Sequence, residues 1–89
     1  MRVRYLVSGR VQGVGFRQFV AEEASRLAIA GWVRNLPDGR VEAEAEGNAE
    51  EISRFEQILA RGPALSRVDQ VQTVAAGTDE LSLVFAIRR

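Results

Sequence analysis

Glycines, an aromatic residue and an arginine crowd the stretch SGRVQGVGFR at residues 8–17. A glycine-rich loop that leads from a strand into a helix presents unpaired backbone N–H groups in a concave arc, at the positive end of the helix dipole. Gly13 and Gly15 allow that backbone to approach a ligand closely, and the guanidinium group of Arg17 can add two charged hydrogen bonds. An oxyanion suits this chemistry, and phosphate suits it best.

Two familiar kinds of phosphate loop do not match this stretch. The loop of nucleotide hydrolases needs a lysine after its last glycine, and this chain contains no lysine. The dinucleotide-binding fingerprint needs another glycine spacing and a parallel sheet. On spacing alone the stretch could equally be a plain connection from strand to helix, with Arg17 as a solvated surface charge.

The composition is that of one soluble globular domain, which we expect to span residues 1–89: 46% of the residues are hydrophobic and 27% are charged. The absence of cysteine and histidine removes thiolate nucleophiles, imidazole bases and the usual transition-metal ligands. A formal net charge of zero does not favour binding to nucleic acid. The apolar runs are too short for a signal peptide or a membrane span, so we expect a cytoplasmic protein.

The first half of the chain contains the elements that must position the loop. Alternating apolar residues predict a strand at 2–8, and helical spacing from Phe16 predicts about three turns that end before Gly31. Residues 29–35 have the composition of a second strand. The turn sequence LPDG and an alternating run at 40–47 then predict a β-hairpin.

The second half repeats the pattern of helix and strand. Asn48 and Glu51 resemble a capping box at the start of a second helix, and the sequence Arg-Gly-Pro at 61–63 predicts its end. Two strand-like runs follow at 67–75 and 81–88. The first alternates poorly, which predicts a bulge or an edge position.

The order β-α-β-β-α-β predicts an α+β fold of the split βαβ, ferredoxin-like type, with an antiparallel or mixed sheet of four to five strands and two helices on one face. Right-handed crossovers make the first strand parallel to the strand at 29–35, with the strand at 40–47 between them. Two strand spacings amount to roughly 10 Å. Arg17 and Asn35 should therefore meet at one edge of the sheet.

The two sequences GRVQGVGFR at 9–17 and GWVRNLPDGRVEAEAEG at 31–47 together resemble the paired signatures of the acylphosphatase family, with no departure at the positions that those signatures fix. The resemblance extends over essentially the whole chain. It implies hydrolysis of the mixed anhydride between a carboxylic acid and phosphate, as in acetyl phosphate or carbamoyl phosphate, without a metal or an organic cofactor.

The same resemblance implies roles for individual residues. Arg17 would bind the phosphoryl group, and Asn35 would position the attacking water. The backbone N–H groups that share the phosphoryl group with Arg17 would come from the loop residues Gly13, Val14, Gly15, Phe16 and Arg17. Inorganic phosphate or sulfate would bind there as product or analogue.

Such a sparse site suits this reaction. The leaving carboxylate comes from an acid with a pKa of about 4 to 5, so it departs without a general acid. Transfer of the phosphoryl group through a loose transition state needs mainly charge stabilisation and alignment. Our hypothesis is that the water's proton passes to a phosphate oxygen of the substrate.

Other residues have simpler interpretations. The glutamates of the third strand, Glu42, Glu44 and Glu46, are expected to form a solvated face, and not a cation site. Trp32 and Phe16 are expected in the core or in support of the loop, where either could border the site.

Two other functions were weighed. An RNA-recognition module needs basic and aromatic residues on the sheet, whereas the third strand here is acidic and has no aromatic residue. A non-catalytic anion-binding or regulatory domain of the same fold, or a part of a larger carbamoyl-phosphate-using protein, stays an alternative. Because both Arg17 and Asn35 are present, and because the chain runs from Met1 to Arg89, we expect a free-standing enzyme. A small neutral domain without an obvious aggregation-prone strand is expected to be a monomer.

Overall fold

The computed structural model describes residues 1–81 and 84–89 and has the predicted fold. Its elements in chain order are β1 (Arg2–Arg10), α1 (Phe16–Arg26), β2 (Ala30–Asn35), β3 (Val41–Glu46), α2 (Ala49–Arg61), β4 (Arg67–Val74) and β5 (Ala86–Arg88). The strands form one sheet in the order β4-β1-β3-β2-β5. Among the described residues, only β2 and β5 pair in parallel, and β1 and β2 run in the same direction on either side of β3, as predicted.

One face of the sheet packs against the two helices. The inward residues of β1 and β3 alternate along their strands, and α1 and α2 cover them with apolar side chains; the buried set includes Tyr5, Val7, Val41, Ala43, Ala45, Val20, Ala24, Ile52, Phe55 and Leu59. Burial of each large side chain contributes about 1.5 to 3 kcal/mol. The Tyr5 hydroxyl donates to Glu56 Oε2 of α2 at 2.6 Å, which ties β1 to that helix.

The predicted capping box of α2 is confirmed. Asn48 Oδ1 accepts from the Glu51 backbone N–H at 2.8 Å, and Glu51 Oε1 accepts from the Asn48 backbone N–H, also at 2.8 Å. The helix ends at Arg61, and Gly62, whose φ is +62°, caps it. By contrast, the residue before α1 is Gly15, which supplies no side-chain cap.

The prediction of a solvated glutamate face on β3 is wrong for two of the three side chains. Glu44 is 0% exposed and Glu42 is 8% exposed, while the last glutamate of the strand is exposed. The cause lies in the neighbouring strands, because β3 is central and arginines of β1 lie over it. Glu44 accepts from Arg2 Nε at 3.1 Å, from Arg4 Nε at 2.9 Å and from the Gly77 N–H at 2.7 Å.

These contacts set the acidity of the buried carboxylate. Burial by itself would raise the pKa of Glu44, but the Gly77 N–H and the guanidinium groups of Arg4 and Arg2 outweigh it and hold the pKa below its ordinary value. The charged network lies on the helix-free face of the sheet. There it also covers Trp32, which is buried beneath the guanidinium groups of three arginines. Their central carbons lie 4.8 to 5.4 Å from the centre of its ring and belong to Arg4, Arg34 and Arg88.

The two strands at the sheet edges differ in how well they were predicted. The bulge or edge position expected of residues 67–75 is confirmed twice over, because β4 lies at the edge of the sheet next to β1 and its register shifts between Ser8 and Gly9. Of the described residues in the strand expected at 81–88, only Ala86–Arg88 are strand, so the prediction begins too early. Residues 82 and 83 lie outside the described residues. Phe85, just before this strand, packs into the core, with its ring centre 5.7 Å from that of Phe55.

Candidate active site

An open cleft of about 490 Å³ lies where the loop after β1 meets the ends of β2 and β5. It contains both side chains to which the sequence assigned chemistry. The residues that line it are Val11, Gly13, Gly15, Phe16, Arg17, Gln18, Asn35, Ile87 and Arg89. Arg17 comes from the first turn of α1 and Asn35 from the last position of β2, so the topology brings them together as predicted.

The glycines of the loop are there for their backbone conformation. Gly13 has φ +72° and Gly15 has φ +77°, in the left-handed region that residues with a Cβ atom avoid. A Cβ atom built on either glycine would meet nothing within 4 Å. The space beside both residues is therefore open to a ligand, and the strain of the conformation is what excludes other residues.

The start of α1 has an unneutralised positive end. Gly15 provides no capping side chain, and no acidic residue occupies the first turn. The first N–H groups of a helix lack partners within the helix, and the helix dipole adds about half a positive charge at this end. An anion in the cleft would meet both effects at once.

Arg17 adds a full charge to this end of the helix. It is half-buried, and among the residues that the structure describes, no carboxylate lies within ion-pairing distance of it. Most other arginines of the chain are paired, as Arg4 is with Glu44. The charge of Arg17 is thus available to an external anion.

The two remaining loop residues fix the loop to the core. Phe16 is 2% exposed and lines the cleft while belonging to the hydrophobic core, which agrees with the prediction that it supports the loop. Val14 packs against the same core and is not among the lining residues. Its side chain anchors the loop between the two exposed glycines, so that only its backbone could contribute to an anion site.

Asn35 is held at the start of a closed turn. It lies opposite Val41 of β3 in the sheet. The next residue, Leu36, donates its N–H to the Arg40 carbonyl at 2.8 Å, and its own carbonyl accepts from the Gly39 N–H at 3.2 Å. Asp38 and Arg40 pair at the tip, where the Arg40 side chain lowers the pKa of Asp38.

Residues of β5 line the cleft as well, and the sequence did not indicate them. Ile87 is 44% exposed and Arg89 follows the end of the strand. They lie at the cleft because β5 pairs in parallel with β2, and the carboxyl ends of parallel strands lie at one edge of the sheet. A prediction of this pairing would have identified them. The strand-like run was predicted, but its neighbour in the sheet was not.

The chemistry open to this cleft is limited by its side chains. It offers two guanidinium groups, two carboxamides and backbone N–H groups, and no Asp or Glu side chain lines the part that the structure describes. Within residues 1–81 and 84–89, no cluster of three or more acidic side chains could hold a metal ion. Such a set of groups can bind an oxyanion and orient a water molecule. No helix in the same ranges is long and apolar enough to cross a bilayer.

Comparison with known proteins gives one consistent result. The acylphosphatase family model matches residues 3–87. An acylphosphatase of Nitrosococcus oceani is 48% identical over 86 residues, which cover 97% of this chain and 96% of that protein. An acylphosphatase of Anaeromyxobacter dehalogenans is 54% identical over 72 residues, covering 81% of this chain and 77% of that one. The crystal structure of acylphosphatase from Bacillus subtilis superposes with a TM-score of 0.89 at 38% identity, covering 99% of this chain and 98% of that one.

Proposed function

This chain belongs to the acylphosphatase family and hydrolyses acyl phosphates, and we propose that it does so in the cleft between the loop, β2 and β5. The products are a carboxylate and inorganic phosphate. The observation that carries the assignment of the site is that an unpaired arginine, a left-handed glycine loop and a strand-end asparagine line one cleft.

The first task of the site is to hold the phosphoryl group. The N–H groups of Gly13, Val14, Gly15, Phe16 and Arg17 surround its oxygens, and the Arg17 guanidinium neutralises their charge. These donors belong to a loop that Val14 and Phe16 anchor to the core. Preorganised donors stabilise the transition state without a cost of reorganisation during the reaction.

The second task is to place a water molecule behind the phosphorus atom. Asn35 does so with its carboxamide, from the end of β2 on the other side of the cleft. The water oxygen forms the new bond to phosphorus as the bond from phosphorus to the acyl oxygen breaks. That oxygen leaves with the electron pair as a carboxylate, which is a stable anion near neutral pH.

The water's proton passes to a phosphate oxygen. The support for this step is that no Asp or Glu side chain lines the described part of the cleft. If the step is right, the pH profile of kcat reflects the ionisation of the substrate and no carboxylate of the protein. A bell-shaped profile that disappears when one carboxylate is replaced would contradict it.

The test is release of inorganic phosphate from benzoyl phosphate, measured with and without a chelator. The proposal expects the same turnover in both conditions, and competitive inhibition by phosphate or sulfate. Binding of phosphate without turnover would instead favour a non-catalytic anion-binding domain. Two finer expectations remain, a monomer and a cytoplasmic location, which sedimentation and cell fractionation test.

A further inference from the structure

Gln12 joins the two halves of the cleft without lining it. Its Nε2 lies 2.7 Å from the Leu36 carbonyl oxygen and 2.9 Å from the Arg40 carbonyl oxygen. Both partners are carbonyl groups, which only accept, so the amide nitrogen must face them and uses both of its hydrogens. One side chain of the glycine loop thus holds both ends of the turn that follows Asn35.

The sheet itself does not make this connection. The last paired residues of β1 and β3 are Val7 and Val41. Beyond that pair, β1 continues alongside β4, and the loop and the turn extend past the region where their strands are joined. Gln12 bridges them at this point.

The bonds of Gln12 fall on the two carbonyls that close the turn. The Arg40 carbonyl also accepts from the Leu36 N–H, and the Leu36 carbonyl also accepts from the Gly39 N–H. A shift of the loop therefore pulls on the backbone immediately after Asn35. Alignment of water with the phosphoryl group is sensitive to such shifts, because a displacement of 1 Å can cost on the order of 100-fold in rate.

We propose that Gln12 is a positioning residue that sets the place of Asn35 relative to the phosphate loop. This inference rests on the proposed function, since it assigns the water to Asn35 and the phosphoryl group to the loop. Loss of the two hydrogen bonds leaves the loop glycines and Arg17 in place. It should therefore reduce kcat while leaving the affinity for inorganic phosphate nearly unchanged.

The experiment compares Gln12→Met with the parent. Methionine keeps the length and packing of the side chain and removes both donors. Gln57→Met, on the exposed surface of α2 and outside this cleft, is the matched control. We expect kcat for benzoyl phosphate to fall by about 10-fold or more in Gln12→Met, with the inhibition constant of phosphate changed by less than about 3-fold and the control unaffected. A kcat within about 2-fold of the parent, or equal losses in kcat and phosphate affinity, would overturn the proposal.

A second measurement does not depend on turnover. Amide exchange at Leu36 and Gly39 should become about 10-fold faster in Gln12→Met, while exchange within the paired parts of β1 and β3 stays the same. Unchanged exchange at both amides overturns the proposal even if the parent proves inactive. An inactive parent whose exchange responds as expected contradicts the function alone. If Gln12→Met does not fold, Gln12→Asn serves, because its shorter side chain keeps the donors but loses their reach.

Discussion

Arg17 and Asn35 line one cleft although they belong to different layers of the fold, the first in a helix and the second at the end of a strand. In the sheet, β3 lies between β2 and β1, and the glycine loop that follows β1 leads the chain to Arg17 in α1. The cleft is therefore a property of the topology. Variants of the glycine loop, of the turn after Asn35 and of the Arg17 charge should therefore differ in whether they lower phosphate affinity, turnover or stability.

The left-handed loop predicts the effect of Gly15→Ala. The added Cβ atom has space, but φ +77° strains an alanine by about 1 kcal/mol or more. Strain that shifts the loop moves the N–H groups away from the anion, so phosphate should bind at least about 10-fold more weakly. Isothermal titration with phosphate measures this.

Gly39→Ala is the matched control for strain. Gly39 has φ +96°, has open space for a Cβ atom and does not line the cleft. It should lose a similar amount of stability and keep its affinity for phosphate. Equal weakening in both variants would show that general destabilisation, and not the loop, explains the loss.

Phosphate should stabilise the protein through Arg17. A ligand that binds only the folded state at 100 times its Kd adds about 2.7 kcal/mol to the free energy of unfolding. We expect the Tm of the parent to rise with phosphate concentration and that of Arg17→Gln to respond far less. Arg54→Gln, an exposed arginine of α2 outside the cleft, should respond like the parent. An equal rise in all three proteins would place the anion elsewhere.

The buried carboxylate of Glu44 predicts a pH dependence of stability. Its pKa is lowered in the folded state, so its stabilisation is complete above the ordinary glutamate pKa of about 4.3 and is lost as the pH falls through the folded value. Glu44→Gln should reduce the free energy of unfolding at pH 7 by about 2 kcal/mol, because Arg2 and Arg4 lose their partner. The difference from the parent should shrink in acid. A difference that stays constant from pH 7 to pH 3 would contradict the ion-pair account.

Tyr5 predicts a second dependence, in alkali. Burial first, and then the hydrogen bond to Glu56, raise the pKa of Tyr5 in the folded state. Its stabilisation is therefore present below the ordinary tyrosine pKa of about 10 and is lost as the pH rises above it. Tyr5 is the only tyrosine, so phenolate absorbance reports it directly. It should ionise together with unfolding; ionisation near pH 10 in a folded protein would contradict this prediction.

The local patterns of the chain predicted the elements that position the cleft. Alternation in β3, the capping box of α2 and the glycines before α1 are each readable within a few residues, and the order of elements then fixes which strand ends meet. Residues whose environment comes from distant parts of the chain were beyond such reasoning. The alternation of β3 alone predicts that Glu44 is exposed, whereas in the structure Arg2, Arg4 and Gly77 surround it.

The same limit explains what was missed around the cleft. Gln12 stands among the glycines with nothing in its own sequence to show that its partners are Leu36 and Arg40. The cleft positions of Ile87 and Arg89 depend in the same way on the pairing of β5 with β2, which nothing within the run at 81–88 indicates. Both are contacts between elements, which a pattern along one segment does not contain.

We propose that Arg17 and Asn35 act together in the cleft. The direct test is phosphate release from benzoyl phosphate by Arg17→Gln and Asn35→Ala, with Arg54→Gln and the exposed Gln70→Ala as matched controls and with circular dichroism to check folding. Loss of one preorganised group costs on the order of 100-fold or more. We predict that both cleft variants fall by that factor while folded, with weaker phosphate binding only in Arg17→Gln, and that both controls match the parent. Folded cleft variants with the parent's turnover would contradict the account.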